Sequence, residues 1–271
     1  MCVSIMNSQS EKCFCIYGKV EDLNTHHKPT LRTFAVLDLI STNDQRYTLS
    51  EISRSLGIST STLFPILRTL REERYLGFDE KTQTYSLGTR LFEIGSRVQN
   101  SHAYQEISNI MNGVVEACGE TCHFGRLDRG NVLYLAKVES NQPIRMYCAI
   151  GRRLPAYGTA IGKALLKGYS LEDLKSLYPE GLKPLTANTI TDFEKLHAQL
   201  HSNDIFLYES EESDESICCV AVPIYWQGAV VAACSVAVPI FRYDEGKKAA
   251  AENALKEALI KFEQMIHMFV F

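Results

Sequence analysis

The stretch TLSEISRSLGISTSTLFPILRTLREERYLGFDEKTQTYSL, residues 48–87, decides how the first part of the chain folds. It opens with Thr48 and Glu51 in the spacing of a capping box, in which each side chain accepts a hydrogen bond from the other residue's backbone amide. Apolar residues then recur at the spacing of one buried helical face, at Leu49, Ile52 and Leu56. Gly57 follows where a left-handed residue ends a helix. The pattern predicts a capped amphipathic helix.

A second helix and a hairpin follow in the same stretch. Four hydroxyl residues open the helix, and its core-facing stripe consists of Leu63, Ile66, Leu67 and Leu70. Two short apolar runs, at residues 75–78 and 84–87, flank a polar turn and predict the strands of a wing. This order is typical of a winged helix-turn-helix, whose second helix reads DNA, although two ordinary amphipathic helices and a hairpin would give a similar pattern. The predicted DNA-binding residues are Ser59, Thr60, Ser61, Thr62, Phe64 and Arg68.

Length and charge favour two domains, only one of which contacts phosphates. The 271 residues suffice for two hydrophobic cores, and the net charge of −4 provides no global attraction to nucleic acid. Residues 28–97 carry ten basic and eight acidic side chains, whereas residues 204–216 carry six acids and no base. The weakly positive charge of residues 28–97 and the negative charge of residues 204–216 favour phosphate contact by the first domain only.

The cysteines and the longest apolar run raise two further questions about the class of protein. Nine cysteines are an odd number, in a chain much larger than the small secreted domains that need disulfides, so we expect a reducing cytoplasm. The run from Ile217 to Ile240 has the length of a membrane span. Its valines, Pro223, Pro239 and the central Gln227-Gly228 pair instead predict two buried antiparallel strands.

The remaining patterns predict an α+β architecture in four segments. We expect a disordered leader at 1–28, a winged helix-turn-helix domain at 29–88, a linker helix at 89–102 and a second domain at 103–271. In the second domain the patterns predict a hairpin at 123–138, a strand at 144–150, helices at 159–167, 171–178 and 192–202, a strand at 205–208, the 217–240 hairpin and a terminal helix at 244–267.

Four segments of the second domain carry a resemblance to a known family. They read GRRLP at 151–155, GTAIGKA at 158–164, CVAVPI at 219–224 and SVAVP at 235–239, and the wing ends in YSLG at 85–88. The chain thereby resembles the IclR family of bacterial transcriptional regulators. The resemblance implies operator binding by the winged helix, a GAF-like effector-binding domain at 103–271, and a homodimer or tetramer. It also implies control of a catabolic operon, by repression or activation, through an effector that is a carboxylate or sugar acid.

The resemblance further implies an effector site on the second domain. Its residues would be Leu154, Ala160, Ile161, Gly162, Glu209, Cys219 and Ser235. Backbone amides at the start of the helix after Gly158 would hold an anion. Glu209 stands where relatives usually have Asp, and Ala237 stands where some relatives have a second Ser. A Glu facing an anionic effector would have to be protonated or bind a hydroxyl group.

Other chemistries fit the sequence less well. The segment from Gly158 to Lys163 lacks the spacing of a phosphate-binding loop, and Cys118, Cys122 and His123 do not have the spacing of a haem or zinc site. We therefore expect no metal and no cofactor. The alternative function is a cysteine-using small-molecule enzyme with an N-terminal dimerisation module. It would need a base near Cys218 or Cys219, and no histidine lies nearby in sequence.

One departure from the family affects the reading helix. Phe64 and Pro65 stand where similar proteins commonly carry a polar or basic pair. Pro65 removes a backbone donor and can kink a helix beyond its first turn. Arg68 is then the side chain best suited to a guanine or a phosphate.

Overall fold

The computed structural model describes residues 27–42, 46–144 and 149–269, which form two compact units divided between Gln99 and Asn100. The first unit contains α1 (Lys28–Ser41), β1 (Tyr47–Thr48), α2 (Leu49–Leu56), α3 (Thr60–Glu72), β2 (Leu76–Asp79), β3 (Thr84–Leu87) and α4 (Thr89–Gln99). Most of the predicted leader, together with Cys13 and Cys15, lies outside the described residues. Its predicted end at residue 28 is wrong by one residue, because Lys28 already begins α1 and a proline is tolerated in a first helical turn.

The local signals of the helix-turn-helix are confirmed in the first unit. The Thr48 amide donates to a Glu51 carboxylate oxygen at 2.7 Å, and the Glu51 amide donates to the Thr48 hydroxyl at 3.3 Å. Gly57 ends α2 with φ 62° and ψ 26°, the left-handed conformation that glycine adopts without strain. The helix α3 continues through Pro65 to Glu72.

The core of the first unit lies under α3 and the wing. Its fully buried side chains include Val36, Ile52, Leu63 and Leu67. The strands form an antiparallel sheet in the order β1, β3, β2, in which Tyr85 pairs with both Tyr47 and Phe78. The predicted linker helix forms as α4 but ends at Gln99, and Ser101 caps the next helix.

The second unit is a three-layer α+β structure, as the sequence predicts. Its strands are β4 (Thr121–Asp128), β5 (Asn131–Val138), β6 (Arg153–Pro155), β7 (Leu207–Ser210), β8 (Ile217–Trp226) and β9 (Ala229–Pro239). They form one antiparallel sheet in the order β6, β5, β4, β9, β8, β7. The helices are α5 (His102–Cys118), α6 (Ala160–Leu165), α7 (Leu171–Leu177), α8 (Phe193–Leu200) and α9 (Glu245–Met265). The long helices α5 and α9 cover one face, and α6, α7 and α8 belong to the core on the other.

The predicted strand at 144–150 lies mostly outside the described residues. Residues 145–148 lie outside the described part of the chain, and neither Ile144 nor Ile150 belongs to a strand. The edge strand is β6, whose three residues pair with the start of β5.

The apolar run at 217–240 is confirmed as a buried hairpin. Gln227 and Gly228 have φ angles of 50° and 82°, the two positive values of a two-residue turn that matches strand twist. The strands β8 and β9 are buried over most of their length. Among the residues that the structure describes, no helix is long and apolar enough to cross a membrane.

Gly162 allows α6 to pack against the one-turn 3-10 helix at Ala156–Gly158. A Cβ atom added to Gly162 would lie 2.1 Å from the Ala156 carbonyl oxygen and 2.4 Å from the Ala156 Cα. Both partners are backbone atoms, so a side chain at this position forces the two segments apart.

We predict that Gly162→Ala lowers the free energy of unfolding of the second unit by about 1–3 kcal/mol, because backbone must shift in a close-packed core. Urea denaturation measures the change. Gly113→Ala in α5 is the matched control, since a Cβ there meets nothing within 4 Å and should stabilise the helix by about 0.5–1 kcal/mol. Equal effects of the two substitutions would contradict the packing argument.

Candidate functional site

The outward face of α3 carries all the predicted DNA-binding residues that belong to the helix. Leu63, Leu67 and Leu70 are buried against the core, whereas Phe64 is 55% exposed. The Arg68 side chain is 63% exposed, and its Nε lies 3.9 Å from Glu72. This distance exceeds that of a hydrogen bond, so Arg68 is available to a ligand at little cost.

The hydroxyl residues at the start of α3 already bond to one another. Ser59 is the N-cap, and its Oγ accepts the Thr62 amide at 3.4 Å. The same Oγ lies 3.1 Å from the Ser61 hydroxyl and 2.9 Å from the Thr62 hydroxyl. Thr60 begins the helix and is exposed. The hydroxyls therefore cap the helix in this structure, and a contact with DNA would be an additional role.

A charged contact connects α3 to the wing. The Arg71 guanidinium bonds to Glu80 at 2.6 Å and lies 4.6 Å from the centre of the Phe78 ring. Arg46 bonds to Asp79 at 3.0 Å, at the turn end of the same hairpin. These contacts set the wing against the reading helix, an arrangement that the periodicity of the sequence does not predict.

Strand register places most of the predicted effector residues on one face of the sheet. Glu209 pairs with Cys219, and Cys219 pairs with Ala237 in the neighbouring strand. One row further along, Ser235 pairs with Ala221 on one side and with His123 on the other. Helix α6 packs on this face, with Ala160, Ile161 and Gly162 all buried.

Two features of the predicted effector site differ from the expectation. Leu154 lies on β6, at the opposite edge of the sheet from Glu209 on β7, although it packs against the same apolar cluster. The Gly162 amide, expected to hold an anion, donates to the N-cap Thr159 hydroxyl at 3.0 Å. The N-cap thus satisfies this one amide among those at the start of α6.

Glu209 is a buried carboxylate that accepts hydrogen bonds from several neighbouring groups. It accepts the Glu212 amide at 2.9 Å and the Ser213 hydroxyl at 3.0 Å, which fastens the loop after β7. Burial raises its pKa above the ordinary value, while a hydrogen bond from Cys219 acts in the opposite direction. Burial thus favours the neutral form of the Glu209 carboxyl group.

The sequence analysis missed a buried ion pair beside Glu209. The Lys163 ammonium has no solvent exposure and bonds to Glu212 at 2.5 Å and to the Tyr208 carbonyl oxygen at 3.2 Å. Burial lowers the pKa of Lys163, and the Glu212 carboxylate raises it in part. Because the two residues are 49 positions apart, no local pattern points to the pair.

His123 also belongs to this face, which its position in the sequence does not indicate. Its ring is 2% exposed, and its Nε2 has no hydrogen-bond partner among the described residues. The ring meets the Tyr134 ring edge-on at a centroid distance of 5.5 Å. Burial, and to a lesser extent the positive charge of Lys137, lowers the pKa of His123 to about 4. The imidazole is neutral at pH 7 and offers an unused polar atom beside Ser235.

The cysteines do not form a reactive or metal-binding centre in the described part of the chain. No group of three or more His, Cys, Asp or Glu residues there could hold a metal. Cys122 and Cys234 are buried free thiols with sulfur atoms 3.4 Å apart. Burial raises the pKa of Cys219 well above its ordinary value, and the Glu209 charge raises it further, so its thiolate form is suppressed.

We predict that His123 makes the protein less stable at mildly acidic pH. Its folded pKa of about 4 lies below the unfolded value of 6.5, so the unfolded state binds more protons between these values. Its contribution to the free energy of unfolding should fall by about 2 kcal/mol between pH 7 and pH 5. Denaturation of wild type and His123→Gln at both pH values measures the contribution of His123. The protonation of Glu209 affects both proteins and therefore cancels when they are compared. Parallel pH profiles for the two proteins would contradict the prediction.

Sequence comparisons match both units of the chain. The IclR helix-turn-helix domain model matches residues 29–80, and the model described as "Bacterial transcriptional regulator IclR C-terminal" matches residues 96–263. The HTH-type transcriptional regulator KdgR of Escherichia coli is 33% identical over 221 residues, covering 79% of this chain and 83% of that protein. KdgR of Dickeya chrysanthemi is 31% identical over 223 residues, covering 80% and 73%.

Solved structures agree with these matches. A transcriptional regulator from Alicyclobacillus acidocaldarius has a TM-score of 0.80 at 26% identity, covering 89% of this chain and 99% of that one. A homologue from Microbacterium hydrocarbonoxydans, solved with 4-hydroxybenzoate, shares the fold with a TM-score of 0.75 at 22% identity and the same coverage. The winged helix-turn-helix, the sheet with its buried α6 face and these matches lead to one conclusion: the chain belongs to the IclR family of bacterial transcriptional regulators.

Proposed function

We propose that this protein binds an operator of a catabolic operon through α3 and changes its activity when a small carboxylate or sugar acid occupies the α6 face of the second unit. The exposed strip of α3, with Phe64 and Arg68 above a fully apolar buried stripe, is the observation that carries the proposal. In the proposed complex the residues that approach the DNA are Ser59, Thr60, Ser61, Thr62, Phe64 and Arg68.

The effector site is proposed on the face that bears Glu209, Cys219 and Ser235, lined by Leu154, Ala160, Ile161 and Gly162. To this set we add His123, whose buried Nε2 lacks a partner among the described residues. Neutral imidazole and serine hydroxyl groups can each donate a hydrogen bond to a carboxylate. Glu209, with its raised pKa, can donate when protonated or accept from a sugar hydroxyl when ionised. The 4-hydroxybenzoate in the Microbacterium homologue is such a carboxylate.

The operator suggests how the chain assembles and where it acts. One reading helix contacts too few bases for a unique site, so we propose a homodimer, or a pair of dimers, that reads two half-sites about 34 Å apart or a multiple of that distance. In this proposal the segment at 29–88 reads DNA, and the helix at 89–102 connects it to the second domain. The domain at 103–271 senses the effector. Contact with bacterial DNA places the protein in the cytoplasm, which agrees with the five described cysteines, all of them free.

The enzymatic alternative is not supported. The characterised relatives are transcriptional regulators, and the Cys219 thiol has a pKa shifted away from reactivity. Ligand binding at the α6 face would instead act by favouring one of two arrangements of the reading heads.

We predict that Arg68→Ala weakens operator binding by about 10-fold at fixed salt, because a guanidinium contact with a base or phosphate is lost. A gel-shift titration measures the affinity. Lys175→Ala is the matched control, since Lys175 is likewise exposed and ion-paired to a neighbouring acid but lies in the second unit. Unchanged affinity in Arg68→Ala, with unfolding also unchanged, would remove Arg68 from the interface.

We predict that Ser235→Ala and Glu209→Gln lose their response to the effector while operator affinity is kept, because each change removes one polar contact in the second unit. Thermal shifts with 4-hydroxybenzoate and a panel of sugar acids and other catabolic carboxylates first identify a stabilising compound. The variants are then titrated with that compound and with operator DNA. Wild-type responses in both variants would show that the effector binds elsewhere.

A further inference from the structure

Phe64 is an exposed aromatic side chain on the helix that we propose reads DNA. It is 55% exposed, and it lies one helical turn from Ser61 on one side and Arg68 on the other. The next residue, Pro65, is also exposed and has no amide to donate. Phe64 and Pro65 therefore form a small apolar patch among hydroxyl and guanidinium groups.

The helix holds this patch firmly. Leu63 and Leu67 are completely buried on either side of it, so the direction of the outer face is fixed by the core. The Thr69 hydroxyl donates to the Pro65 carbonyl oxygen at 3.0 Å, a hydrogen bond within the helix beside the patch. A rigid apolar group on a well-anchored helix can recognise a partner without losing much conformational entropy.

The chemistry of the major groove identifies a partner for Phe64. Base edges there present hydrogen-bond donors and acceptors, and the thymine C5-methyl is the apolar group among them. A phenyl ring cannot satisfy a donor or an acceptor, so covering one would leave a desolvated polar group. Contact with a methyl group has no such cost and buries apolar surface on both sides.

Helix geometry limits where this thymine can lie. Phe64 and Arg68 are four residues apart, which corresponds to about 6 Å along the helix axis. Successive base pairs are about 3.4 Å apart along the duplex. A thymine read by Phe64 should therefore lie within about two base pairs of the nucleotide contacted by Arg68.

We propose that Phe64 reads the C5-methyl of one thymine in each operator half-site. This proposal rests on the proposed function, because it requires α3 to enter the major groove. It assigns Phe64 a specificity role that depends on the apolar surface of its side chain.

Replacing single thymines by deoxyuridine tests the proposal, since the change removes the methyl and leaves base pairing intact. Sites are first selected from random duplex DNA with the full-length wild-type protein, and each thymine of the selected site is then replaced in turn. Loss of one buried methyl corresponds to about a 4-fold loss of affinity. We expect that loss at one thymine per half-site for wild type and a loss below 2-fold at the same position for Phe64→Ala.

Phe34→Ala is the matched control, because Phe34 is 49% exposed on α1 of the same unit. It should keep the wild-type penalty. If Phe64→Ala binds too weakly at the chosen salt, all proteins are compared at lower salt, which strengthens phosphate contacts without adding base contacts. The proposal is overturned if deoxyuridine lowers wild-type affinity at no thymine within about two base pairs of the nucleotide contacted by Arg68. It is also overturned if Phe64→Ala loses as much affinity as wild type at the same thymine. Failure of the wild type to select any DNA would instead overturn the proposed function.

Discussion

Burial of the β8–β9 hairpin on both faces is the constraint on which the second unit depends. Val220, Val222 and Val236 contribute to the core under α5 and α9, whereas Ala221 and Ala237 contribute to the core under α6. Side chains alternate between faces along a strand, so a slip of one residue would exchange these two sets. Large side chains would then face α6, which packs directly on the sheet, and small ones would leave cavities under the long helices.

The same register collects buried polar groups on one face. Ser235, His123, Glu209 and Lys163 are each at most 3% exposed. Burial of polar groups is costly unless they are hydrogen-bonded. The Lys163 ammonium and the Glu209 carboxylate meet that requirement, whereas Glu212 does not meet it at Oε2. His123 does not meet it at Nε2. The unpartnered atom of His123 lies beside Ser235, on the face where we propose that the effector binds.

Local patterns predict this fold well and the site only in part. The capping box at Thr48 and the Gln227-Gly228 turn involve residues a few positions apart, so the sequence shows them directly. The strand β6 has no signal in the sequence, because its three residues pair only with β5, about 20 positions away, and carry little periodicity of their own. Cys122 and His123 were considered together as ligands because they are adjacent in sequence. The alternation of β4 sends them to opposite faces, with Cys122 in the core under α5 and His123 beside Ser235.

In helix α3 the side chains that stabilise the fold differ from those that we propose determine DNA specificity. Its buried side chains, Leu63, Leu67 and Leu70, hold α3 in place and leave little freedom for substitution. Its exposed side chains, including Phe64 and Arg68, contribute little to the core, so changes there are nearly neutral for folding. A regulator can therefore acquire a different operator while keeping the same scaffold. The unusual Phe64-Pro65 pair lies on the part of the helix where folding imposes the fewest requirements, so its proposed role in reading DNA does not conflict with the stability of the unit.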